Sequence, residues 1–234
     1  MLANFLEFWT EDRSLTALLY LLALNLLVLS PASYLGKIVR PLSDISLVLL
    51  LLSGILTLRM HGYFRIVAIS FLFLTIIVRT LDIFLDLPWL DVVRLEMTGV
   101  CYALLIYVVA RMVYREGPVT GHRIRGAIAL YLLIAALFTI LYILLETVSP
   151  GAFRFPDYWR QRRSELSNVF AYFSFVTMTT VGYGDVTAVH PFARSLVMFE
   201  ALIGQLYPAI LIARLVTLYT GSKNQAKRGE GDNL

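Results

Sequence analysis

From residue 14 to residue 36, and again from 126 to 145, the chain contains no Asp, Glu, Lys or Arg. At about 1.5 Å per residue, roughly 20 apolar residues cross the ~30 Å hydrocarbon core of a bilayer as a helix. Backbone N–H and C=O groups find no water there, and a helix satisfies them within its own segment. Four more apolar segments, 41–58, 63–81, 90–114 and 192–219, accompany these two. The expected fold is an all-α integral membrane protein with six transmembrane helices.

Composition agrees with this. Hydrophobic residues make up 59% of the 234 and charged residues 15%, too apolar a balance for a soluble domain. The net charge of +4 is spread over loops and tail instead of forming one basic face, which suits contact with membrane lipid headgroups and gives no support to nucleic acid binding. The lone cysteine, Cys101, lies in an apolar run, so no intrachain disulfide can form.

The stretch from Thr177 to Asp185, reading TMTTVGYGD, has a chemistry unlike that of the helices around it. A potassium ion sheds its water only where replacement oxygens are supplied, and consecutive backbone carbonyls are a dense source of them. Turning successive carbonyls toward one axis needs ordinary and left-handed backbone in alternation, which glycine adopts readily. Gly182 and Gly184 stand at alternate places. The predicted K+ ligands are the carbonyls of Thr180, Val181, Gly182 and Tyr183, with the Thr180 hydroxyl as the innermost ring, and Gly184 completes the filter. Val181 and Tyr183 are expected to turn back onto a supporting helix over 169–178. Because the stretch lies between the fifth and sixth apolar segments, it reads as a re-entrant pore helix and selectivity filter.

With six spans and this loop between the last two, the chain resembles the six-transmembrane potassium channels of the voltage-gated-like superfamily, of prokaryotic type. The likeness is carried by Phe175 through Asp185, FVTMTTVGYGD, and extends over roughly 171–215. For the first four segments it is a likeness of layout. It implies a homotetramer, K+ as the permeant ion and no organic cofactor. Filter support would fall to Tyr172, Phe173, Thr177, Thr179 and Asp185. Phe173 cannot donate a hydrogen bond to the Tyr183 hydroxyl, whereas Tyr172 can reach Asp185. Gly204 stands where such channels keep a hinge glycine, and Pro208, which removes the hydrogen bond back to the Gly204 carbonyl, makes the pair a candidate gating hinge.

The expected organisation is an interfacial segment 1–13, a four-helix sensor-like domain 14–115, a basic cytoplasmic linker 116–125, a pore domain 126–220 and a disordered cytoplasmic tail 221–234. No signal peptide is expected. Around the first four segments Lys and Arg favour the loops that an outward-opening filter would leave inside, a pattern that the turret with its four arginines breaks; the loops place a multi-pass chain in the cell membrane with both termini cytoplasmic. The fourth segment carries Arg94, Arg111 and Arg115 and lacks an arginine at every third position, so a conventional voltage sensor is not expected. Glu200, inside the sixth segment, is either a pH-sensing carboxylate or a structural one held by hydroxyls such as those of Ser174 or Thr177. Arg214 is expected to snorkel toward headgroups. The alternative functions are a membrane subunit of a potassium uptake transporter and a non-conducting regulatory subunit; an unknown regulatory partner would fit the lack of an attached ligand-binding domain. Nothing in the sequence supports an enzyme.

Overall fold

The computed structural model describes residues 11–26, scattered positions between 42 and 52, and residues 63–85, 88–115, 121–156 and 166–231. Most of the interfacial segment and of the second apolar segment, part of the linker, and the turret arginines Arg160, Arg162 and Arg163 lie outside the described residues. The elements in chain order are α1 (Glu11–Leu24), α2 (Tyr63–Leu85), α3 (Pro88–Val113), α4 (Gly121–Val148), β1 (Phe153–Arg154), α5 (Leu166–Met178), β2 (Thr187–Ala188) and α6 (Pro191–Gly231).

Three helices among the described residues are long and apolar enough to cross a membrane: Trp89–Val113, Arg123–Val148 and Pro191–Thr217. Leu15–Leu24, Ile69–Leu81 and Leu166–Met178 are shorter apolar helices. Lipid tails are as apolar as leucine, so helices in a bilayer associate through close packing and hydrogen bonds. Helix α4 is built for this. Its Ala127, Ala129, Ala135 and Ala136 are buried, and small side chains let neighbours approach. One cluster joins Leu15, Leu18 and Leu22 of α1, spaced for one helix face, to Leu105 and Val109 of α3 and Leu130 and Leu133 of α4. A second, aromatic cluster joins Phe138 and Tyr142 of α4 to Phe153, Phe170 and Phe173. Cys101 is buried, with Thr75 at 3.7 Å.

Two boundaries differ from the sequence expectation. Residues 121–125 of the basic linker belong to α4, and the backbone across 221–231, expected to be disordered, continues α6 as a helix. Gln225, Ala226, Lys227 and Arg228 are good helix formers and no proline interrupts them. Helix α4 stops where Pro150 and Gly151, the latter at φ +88°, turn the chain. Helix α6 opens with Pro191 in its first turn, and His190 Nδ1 accepts from the Phe192 N–H at 3.3 Å.

Candidate functional site

Helix α5 ends at Met178, and the chain beyond it adopts an alternating backbone. Thr180, Gly182 and Gly184 have φ of +61°, +54° and +79°. The two glycines behave as the sequence predicts; Thr180 joins them although a β-branched residue resists that region. The amides of Val181 and Gly182 turn back to donate to the Val176 carbonyl at 3.0 and 3.3 Å, and the Thr180 amide donates to Thr177 at 3.0 Å. Thr179 donates from its amide and its hydroxyl to Phe175, at 2.9 and 2.6 Å. The carbonyls of Thr180, Val181, Gly182 and Tyr183 accept no hydrogen bond among the described residues. Four successive neutral oxygens and a threonine hydroxyl are hard donors suited to a weakly hydrated monovalent cation. The C-terminal end of α5, which carries roughly half a negative charge, immediately precedes them.

Support comes from α5 through Tyr172. Its hydroxyl donates to Asp185 Oδ2 at 2.8 Å, and its ring stacks on that of Tyr183 with centroids 6.3 Å apart and planes within 4°. The other Asp185 oxygen accepts from the Val186 amide at 3.0 Å. Tyr183 otherwise remains 71% exposed, and Val181 is exposed too, so its expected packing onto the supporting helix is not made within one chain. Phe173 points to the aromatic cluster instead, 5.2 Å from Tyr142 and 5.8 Å from Phe153 between ring centroids. Thr177 contributes its carbonyl.

The outer frame rests on Glu146, which the sequence did not single out. Its carboxylate accepts from the Gly151 amide at 2.9 Å and the Phe153 amide at 3.1 Å, fixing the turn that closes α4. Strand β1 then pairs antiparallel with β2, Phe153 opposite Ala188, and the Val189 and His190 amides both donate to the Ala152 carbonyl. The chain that follows Asp185 is thereby tied to the chain leaving α4. An acidic residue ending a charge-free run just before a Ser-Pro-Gly turn was the available signal.

Glu200 is fully buried in α6 and receives hydroxyls from two other helices, Tyr142 of α4 and Ser174 of α5. Ser174 was foreseen, Thr177 is not used, and Tyr142 was missed because it lies 58 residues away in another apolar run. Ser174 Oγ also stands 2.9 Å from the Ala135 carbonyl. A hydroxyl has one proton to give. With the carboxyl ionised, Ser174 donates to Glu200; with it protonated, Glu200 can donate to Ser174, which then donates to Ala135.

One turn further along α6, Gly204 lies so close to α5 that an added Cβ would stand 2.2 Å from the Met178 carbonyl oxygen. This gives Gly204 a reason to be glycine that is independent of bending. Pro208 follows within the helix. Arg214 does not reach for headgroups. Its guanidinium donates to the carbonyls of Val113, Tyr114 and Arg115 at 3.3, 3.0 and 3.4 Å, at the C-terminal end of α3 where helix carbonyls lack partners. Among the described residues, no cluster of His, Cys, Asp and Glu could hold a metal ion.

The part of the chain that holds α4 to α6 and the loop after α5 resembles known proteins. Residues 127–221 match the ion channel family model. The chain is 33% identical over 95 residues to the inward rectifier potassium channel Kirbac3.1 of Paramagnetospirillum magnetotacticum, covering 39% of this chain and 28% of that protein. It is 32% identical over 87 residues to protein LctB of Bacillus caldotenax, covering 37% of this chain and 64% of the relative. The chain thus spans less than two thirds of either relative. No solved structure matches it.

Proposed function

We propose that this chain is the subunit of a potassium-selective channel that carries passive K+ flux across the cell membrane. The observation that carries the reading is the run of positive φ at Thr180, Gly182 and Gly184 around four carbonyls that accept no hydrogen bond among the described residues, within the segment that matches the ion channel family. Such carbonyls at membrane depth are tolerable where they line a cavity that holds ions or water. One loop supplies a quarter of a ring, so four copies assemble about a common axis. The exposed apolar side chains of α6, Phe199, Leu202 and Leu206 among them, and the exposed Tyr183 suit contact with neighbouring copies.

Six spans per subunit, with both termini cytoplasmic, complete this reading. Opening is by bending of α6 near Pro208 and is not steeply voltage-dependent. Arg94 is paired with Asp91 at 3.0 Å, and Arg111 lies over Tyr107, so the fourth segment offers no evenly spaced row of charges to move.

The test is the reversal potential of the purified protein in a planar bilayer, with potassium on one side and sodium on the other, through a series of voltage steps. A reversal near the potassium limit with steady open probability is expected. Robust current reversing near zero overturns selectivity, and steep voltage dependence overturns the gating statement.

A further inference from the structure

The last four carbonyls of an α-helix have no partner within it. In α5 these belong to Phe175, Val176, Thr177 and Met178. The first three accept from Thr179, Thr180, Val181 and Gly182, residues of the turn and filter that follow. The Met178 carbonyl accepts instead from outside, from the hydroxyl of Tyr131 on α4 at 3.1 Å. On its other side lies Gly204 of α6, near enough that no Cβ would fit. Tyr131 is backed by α6 as well: its ring lies 5.7 Å from that of Tyr207, whose hydroxyl donates to the Ala127 carbonyl on α4 at 2.8 Å. The oxygen two residues before Thr180 is therefore held by a hydrogen bond from one helix and by contact with another.

We propose that Tyr131 is a positioning residue for the inner end of the filter, its hydroxyl holding the Met178 carbonyl in place and so fixing where Thr180 presents its oxygens. The inference rests on the potassium-channel reading. Without the hydroxyl, a buried carbonyl at the negative end of α5 is left without a donor, which is costly. The movement that relieves it turns Met178 toward other donors and carries the turn at Thr179 and Thr180 with it. Gly204 blocks the alternative of sinking toward α6.

The experiment compares the full-length wild type with Tyr131→Phe, which keeps the ring packed on Tyr207 and removes only the hydroxyl. Thermal unfolding of each purified protein is followed in potassium and in sodium, and permeability ratios are measured in bilayers. An ion that binds the native state alone stabilises it, so the difference between the two cations reports the preference of the filter. The wild type is expected to be more stable in potassium. Tyr131→Phe is expected to lose at least half of that difference, with the K+/Na+ permeability ratio falling roughly fivefold. Equal loss of stability in both cations with an unchanged permeability ratio would overturn the positioning role, and so would failure of the variant to accumulate, which would assign the hydroxyl to folding. A wild type with neither a cation preference in unfolding nor selective current would sink the channel reading itself, a result distinct from both.

Discussion

The guanidinium of Arg214 lies over the ring of Tyr114, 4.8 Å from its centroid, and donates to the Tyr114 carbonyl at 3.0 Å. The last helix thus grips the end of α3, one hundred residues earlier in the chain, by charge and by hydrogen bond. Charge-assisted bonds of this kind are the stronger ones, and the carbonyl end of a helix favours a cation. Arg214→Gln should free the lower half of α6 and raise open probability about tenfold, corresponding to about 1.4 kcal/mol in the opening equilibrium. Single-channel recording checks this, with the permeability ratio unchanged.

Gly204→Ala would drive a methyl group into the Met178 carbonyl, 2.2 Å from the ideal Cβ position. Backbone cannot yield as a flexible side chain can, so α6 must shift away from α5. A loss of about 1–3 kcal/mol is expected. It would appear as a lower unfolding temperature of the purified protein; a variant as stable as wild type would mean that the two helices are not in contact there.

Tyr172→Phe removes the hydroxyl that reaches Asp185 while leaving the ring stacked on Tyr183. The bond is partly solvated, so its loss should cost only about 0.5–1.5 kcal/mol. Its effect should fall on the filter: current that decays faster during a sustained opening, with assembly unaffected. Macroscopic recordings on the two proteins make the comparison.

Glu200→Gln and Glu200→Leu should behave differently. Glutamine keeps an acceptor for the Tyr142 hydroxyl and should fold almost as well as wild type, whereas leucine strands that hydroxyl in the interior at a cost of about 1–3 kcal/mol. If the carboxyl also changes protonation during gating, the glutamine variant loses the part of the pH dependence of flux that belongs to it. Identical pH profiles for wild type and Glu200→Gln would leave Glu200 a purely structural tie among three helices.

The backbone of the proposed filter was legible because its chemistry is local. Gly182 and Gly184 announce left-handed backbone by lacking a Cβ, and Tyr172 lies thirteen residues from the carboxylate it reaches. Thr180 was not legible in the same way, since its unfavourable φ is imposed by the turn between α5 and the filter. The longer ties were hidden. Tyr131, Tyr142 and Arg214 act 47, 58 and about 100 residues along the chain from their partners, through packing that no periodicity encodes. Arg214 was misread for a physical reason: a cation near the end of an apolar helix suggests headgroups unless a second helix is known to end beside it.

Helix α6 can also be viewed as a beam with two supports. It is seated on α5 at Gly204 and fastened to the end of α3 at Arg214, ten residues further on and about 15 Å along the axis. Pro208, where a backbone hydrogen bond is missing, falls inside that span. A beam held at both ends stays straight over its weakest point. Bending at Pro208 therefore requires one support to let go, and the solvent-accessible fastening at Arg214 is the cheaper of the two to release.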